Sequence, residues 1–132
     1  MGCFRNIDEA REYFTGDRFA TVNGMTIEEM EDGRCVCRAR VREEHRNALG
    51  GIMGGFLFTL CDFAYAVCIN NAHRPCTGMD ADIRYLNASK GSELTAEARL
   101  LKDGRTVITA QVIVTDEFGK QIALFTGSGF KL

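Results

Sequence analysis

A single carboxylate, Asp62, sits in the middle of a run from Gly51 to Asn70 that is otherwise almost wholly apolar. Burying a lone ionised carboxylate costs several kcal/mol unless it is paired, hydrogen-bonded or protonated, so its presence needs a reason. Phe58, Ala66 and the ring of Tyr65 lie one helical turn away, and such neighbours disfavour the charged form and raise the basicity of the acid. The residue is either kept for chemistry or tied down by backbone N–H groups or by the Tyr65 hydroxyl. The other reactive side chains are less suggestive. Six cysteines in a chain without an evident export signal read as reduced thiols acting as small buried hydrophobes. Cys35 and Cys37 make only a C-x-C, and His45 and His73 are the only histidines, so neither a metal site nor a redox cofactor is expected.

The elements that must hold Asp62 follow from periodicity. Asn6 to Phe14 places Ile7, Ala10, Tyr13 and Phe14 at helical spacing, with Asp8 and Glu9 in the first turn, and predicts a short amphipathic helix. Thr26 to Met30 and Arg34 to Val41 flank Glu31-Asp32-Gly33, where Asp-Gly signals a hairpin. Glu43 to Gly51 is polar and then Gly-rich, the loop before a long helix. Beyond Pro75 and Gly78 come four strand candidates: Met79 to Leu86, Glu93 to Lys102, Thr106 to Thr115 and Lys120 to Phe130. Their links are short, which predicts an antiparallel meander, since parallel neighbours need long crossovers. The 132 residues therefore predict a single α+β domain in which one curved antiparallel sheet wraps a central helix.

The apolar run is nearly long enough to span a bilayer, which takes about 20 residues. An Asp near its centre and its many Gly, Ala, Thr and Cys residues argue instead for a helix buried in a core. A formal net charge of -2, with no basic run, excludes a nucleic-acid surface. The N-terminus lacks the basic and apolar regions of a signal peptide, and Arg5 and Asn6 do not suit myristoylation, so a cytoplasmic protein is expected.

The letters around the helix carry a resemblance. Asn47-Ala48-Leu49-Gly50-Gly51-Ile52-Met53-Gly54-Gly55, continued by Phe58-Thr59-Leu60-Cys61-Asp62, resembles the pattern N-x-x-G-x-x-H-G-G-x-x-x-T-L-x-D of the hotdog-fold acyl-CoA thioesterases of the phenylacetate-degradation (PaaI-like) type. Asp82-Ile83-Arg84-Tyr85-Leu86, Gly91-Ser92-Glu93-Leu94-Thr95-Ala96 and Asp103-Gly104-Arg105 extend it over nearly the whole chain. The resemblance implies the hotdog fold and hydrolysis of an acyl-CoA thioester without a cofactor. It makes Asp62 the catalytic carboxylate, as base or nucleophile, and gives a backbone N–H at Gly54 the task of polarising the thioester carbonyl. Helix-start N–H groups are unpaired and lie at the positive dipole end, which suits a developing oxyanion. Glycines needed only for a tight turn are the plainer alternative.

Asn47 resembles the residue that holds the attacking water or orients the carboxylate; an Asx-turn in the loop is its structural alternative. Met53, Gly55, Thr59 and Gly78 would border the substrate, with Arg84, Lys90 and Arg105 as candidate phosphate partners. Met53 departs from the family His and cannot donate a hydrogen bond. Gly78 stands where some relatives carry Ser or Thr. His45 could supply an imidazole, although a solvated loop histidine is the simpler expectation.

Gly54 and Asp62 are eight residues apart, about 12 Å along one helix, too far to act on one carbonyl. Sites shared between two chains are therefore expected, in a homodimer or a dimer of dimers. A non-catalytic acyl-CoA-binding or sensing domain is the alternative function. A hotdog dehydratase is disfavoured, because neither His45 nor His73 has a carboxylate placed as that motif requires.

Overall fold

The computed structural model describes residues 2–132. Helix α1 (Ile7–Tyr13) starts where expected, capped by Asn6, whose Oδ1 accepts from the Glu9 N–H at 2.9 Å. A 3-10 turn and a second short helix, α2 (Arg18–Val22), follow; the sequence signalled no element there. Strands β1 (Thr26–Glu31) and β2 (Arg34–Arg40) form the expected hairpin, with Gly33 at φ 78° in its turn. The long helix α3 spans Gly54–Ala72, and strands β3 (Cys76–Tyr85), β4 (Glu93–Asp103), β5 (Val107–Asp116) and β6 (Gln121–Lys131) complete the chain.

All six strands form one antiparallel sheet in the order β1-β2-β4-β5-β6-β3. The expected meander holds from β4 to β6 and fails for β3, which pairs with β6 at the far edge while β4 takes β2 as its other neighbour. Link length did not force the simpler order. The segment 86–92 can extend about 23 Å, whereas three strand spacings are about 14 Å.

Helix α3 lies across the concave face of the sheet. Leu94, Ala96 and Ala98 of β4, Ile108, Ala110, Val112 and Val114 of β5, and Phe125 of β6 are completely buried, alternating with more exposed neighbours along each strand. They pack with Leu60, Ala64 and Val67 of the helix in one core. By length and composition α3 would qualify as a membrane span, yet twelve of its residues are buried inside this domain. All six cysteines are free. Cys35, Cys37, Cys61 and Cys68 are buried as expected, while Cys76 is half-buried and Cys3 is exposed.

Two surfaces remain uncovered. Gly55, Asp62 and, more partially, Phe58, Thr59 and Ala66 form a stripe on the helix side away from the sheet. Strand β3 is exposed along nearly its whole length and presents an outer edge with no strand beside it among the described residues.

Candidate active site

The loop before α3 is built by Asn47. Its Oδ1 accepts from the N–H groups of Leu49 and Gly51, both at 3.0 Å, and its own N–H donates to the Gly51 carbonyl at 2.9 Å. Gly50, at φ 81°, completes the turn. The Asx-turn is thus present. Because backbone N–H groups occupy the oxygen, the carboxamide orientation is determined, and the NH₂ group is what Asn47 has left to offer a ligand.

Helix α3 begins at Gly54, preceded by an extended Met53 (φ -61°, ψ 130°) that provides no side-chain cap. Phe56 and Leu57 N–H groups return to the Met53 carbonyl, whereas those of Gly54 and Gly55 have no acceptor among the described residues. Tyr85 at the end of β3 donates its hydroxyl to the Gly54 carbonyl at 3.1 Å. A Cβ on Gly54 would stand 2.9 Å from the Tyr85 Oη and 3.0 Å from its Cζ, so a larger residue here would push the exposed Tyr85 ring aside. A cavity of about 620 Å³ opens at this point, lined by Asn47, Gly54, Leu57, Tyr85, Leu86 and Ile122 among others. Tyr85 and Ile122 were not singled out from sequence. Tyr85 stood in a quoted motif, but only the sheet order brings it to the helix start.

Asp62 lies elsewhere. It borders a separate cavity of about 440 Å³ with Asp17, Arg18, Phe19, Phe58 and Thr59. The expectation of a buried carboxylate is corrected within one chain: Asp62 is exposed, because the sheet covers only one side of α3. It makes no hydrogen bond or ion pair with the described residues. The structural alternative through Tyr65 is also absent, since the Tyr65 hydroxyl is buried without a hydrogen-bond partner among the described residues. Partial desolvation by the surrounding walls, followed by the charge of Asp17, raises the Asp62 pKa. Its open side and its perturbed pKa agree: the carboxylate reaches water in a recess whose walls remove part of its hydration.

The remaining candidates divide between these places and others. Met53 is 51% exposed at the helix start, and Gly55 is exposed beside it. Thr59 shares the Asp62 cavity, but its hydroxyl donates to the Gly55 carbonyl at 2.8 Å. Gly78 lies on β3 at a bulge, where a Cβ would be 3.9 Å from the Tyr65 ring edge and hydroxyl. Arg84 is exposed on β3 with Asp82 at 3.7 Å. Lys90 lies in the link after β3, bordering a basin next to the Gly54 cavity. Arg105 is in the turn between β4 and β5, at the end of the sheet far from Gly54.

His45 is neither solvated nor available as the missing imidazole. It is 4% exposed, stacked on Phe56 with ring centroids 3.8 Å apart, and its Nδ1 accepts from the Arg42 N–H at 2.9 Å. Nε2 therefore carries the proton and donates to Asn23 Oδ1 at 2.9 Å. The His45 carbonyl accepts from the Met53 N–H, so this histidine braces the loop that leads into α3.

A curved antiparallel sheet around one central helix defines a hotdog protein. The thioesterase superfamily model matches residues 49–123, more than half of the chain, and the chain belongs to that superfamily. It is 32% identical to human acyl-coenzyme A thioesterase 13 over 103 residues, covering 75% of this chain and 74% of that protein. A solved mutant of the phenylacetic acid degradation protein PaaI from Thermus thermophilus superposes with a TM-score of 0.83 at 31% identity, covering 88% and 100% of the two chains. A hypothetical thioesterase from Streptococcus pneumoniae, solved with coenzyme A, gives 0.82 at 28%, covering 89% and 94%.

Proposed function

We propose that the protein hydrolyses an acyl-CoA thioester to the free acid and CoA, at sites shared between two copies of the chain. The observation that carries this reading is the separation of the two reactive features. Gly54 and Asp62 open into different cavities, so a complete site needs Asp62 of the partner subunit. The exposed edge of β3 and the uncovered stripe of α3 supply a surface on which a second copy could dock.

In this reading the Gly54 N–H donates to the thioester oxygen, and the Asn47 NH₂ holds water or the acyl carbonyl. As base, Asp62 of the partner subunit takes a proton from water while the water oxygen attacks the carbonyl carbon. The C–S bond then breaks and the CoA thiolate receives the proton. As nucleophile, the same carboxylate attacks the carbonyl carbon, the C–S bond breaks with departure of the CoA thiolate, and water hydrolyses the resulting mixed anhydride to release the acid and regenerate the carboxylate. A Met53 without donor capacity and a His45 committed to the loop leave the site without imidazole, which favours a second reading as an acyl-CoA-binding domain without turnover.

Incubation with aryl, short-chain and long-chain acyl-CoA thioesters and a thiol reagent separates the two. Hydrolysis predicts CoA release that is lost in Asp62→Ala. Binding without release in the unsubstituted protein refutes the enzymatic reading.

A further inference from the structure

Tyr65 is 3% exposed, and among the described residues its hydroxyl alone of the buried side-chain oxygens and nitrogens has no hydrogen-bond partner. Phenylalanine would fill the same volume without stranding a polar group, so the oxygen costs stability and packing does not account for it.

Its seat is built from absent side chains. A Cβ on Gly129 would stand 2.7 Å from the Tyr65 Oη, and one on Gly127 3.0 Å from Cε1, so β6 keeps both positions bare where the ring passes beneath it. Opposite Gly129, on the edge strand β3, is Gly78, which is exposed. Apart from its chain neighbours, a Cβ there would meet within 4 Å only the Tyr65 Cε2 and Oη, each at 3.9 Å. The place of a side chain at Gly78 is therefore an unfilled notch with the phenol edge as its floor.

The polar groups beside the notch are engaged elsewhere. Asp80 Oδ1 accepts from the Ser128 N–H at 3.2 Å, and the Cys76 thiol donates to the His73 carbonyl at 2.8 Å. Asp62 leaves α3 three residues before Tyr65, a spacing that puts two side chains on one side of a helix. Burial, followed by the negative charge of Asp62, pushes the phenol pKa up to about 12, so the group keeps its proton and acts as a donor. Strand β3 has a bulge between Gly78 and Asp80 and no strand on its outer side among the described residues, which leaves it free to give as an atom enters the notch.

We propose that the Tyr65 hydroxyl holds a water against Asp62 of the same chain at the Gly78 notch, and that this is the water consumed in thioester hydrolysis. The assignment rests on the hydrolytic reading of Asp62. With Asp62 as base, its carboxylate accepts one proton from the water and the water oxygen attacks the carbonyl carbon. The phenol donates to that oxygen as negative charge grows on it, and gives up no proton. With Asp62 as nucleophile, the same water hydrolyses the anhydride.

Tyr65→Phe tests this, with CoA release and thermal melting measured on the same preparations. The variant is expected to melt at or above the parent temperature, because the stranded hydroxyl is gone, and to lose about tenfold in kcat at unchanged KM. Adding Gly78→Ser to Tyr65→Phe returns a hydroxyl to the notch, where a Cβ finds only ordinary contacts, and is expected to restore most of the loss. Tyr65→Phe with the parent kcat overturns the proposal. So does a loss that Gly78→Ser leaves unrepaired, which marks a packing defect. A crystal structure of the parent assembly needs no turnover: a water bonded to both the Tyr65 Oη and the Asp62 carboxylate supports the assignment, and a phenol without it overturns the assignment. A parent that shows this water and releases no CoA overturns only the hydrolytic reading.

Discussion

Asn47→Asp and Asp62→Asn form a pair of nearly isosteric changes whose mixture reports where the site is assembled. Asp at position 47 retains an oxygen for the Leu49 and Gly51 N–H groups, so the turn persists while the NH₂ donor is lost. Asn at position 62 removes a carboxylate that bonds nothing in its own chain, so folding is not at stake. Losing a general base, as in Asp62→Asn, costs roughly 10²–10⁴ in rate, and losing a hydrogen-bond donor, as in Asn47→Asp, roughly 10²–10³, so each homodimeric variant should be nearly silent. The spacing along α3, eight residues or about 12 Å, keeps Gly54 and Asp62 of one chain from a common carbonyl. When the variants are co-expressed in equal amounts, half the dimers pair unlike chains. One of the two sites in such a dimer joins an intact Asn47 to an intact Asp62, so activity should return to about a quarter of the parent level. The readout is CoA release by thiol titration: about a quarter of the parent level for the whole mixture, and about half for the mixed species isolated by two affinity tags. If each site lay within one chain, every chain would carry a defect, and activity staying at the level of the separate variants would refute the shared site.

Further expectations concern pH and stability. As a base Asp62 must be ionised, so kcat/KM falls as pH drops through its raised pKa; because Asp17 contributes to that rise, Asp17→Asn should move the acidic limb of the profile to lower pH. A limb that stays in place or moves upward would remove Asp17 from the account. Burial lowers the His45 pKa, so the unfolded chain protonates first: its contribution is complete above the unfolded value, about 6.5, and is lost as pH falls from there through the folded value. Melting temperatures across that window should decline more in the parent than in His45→Gln. His45→Ala itself should cost about 2–4 kcal/mol in denaturant unfolding, since the Arg42 N–H loses its acceptor, Asn23 its donor and Phe56 its stacking partner.

Much of this molecule can be read along the chain because its signals are local. The Asp32-Gly33 turn, the strands expected over Glu93 to Lys102 and Thr106 to Thr115 and the apolar run that forms α3 depend on backbone torsions and on a two- or 3.6-residue period, and each appears as expected. The ordered pieces from Asn47 to Asp62 likewise carried the family. Helix α2 escaped because five residues carry too little periodicity to register. The meander went wrong at β3 because link length limits reach without choosing a partner.

Sequence alone also determined that Gly54 and Asp62 cannot cooperate within one helix, since the rise per residue is set by backbone hydrogen bonding. Tertiary structure decided which groups surround them. Tyr85 reaches the Gly54 carbonyl only because β3 lies at the far edge beside β6, and Asp17 faces Asp62 only because α2 folds over that side of α3. The same packing encloses His45 and leaves Asp62 open, reversing the environments their sequence neighbours suggested. Periodicity reports which side of an element is apolar; what covers that side is settled by contacts between residues far apart in the chain.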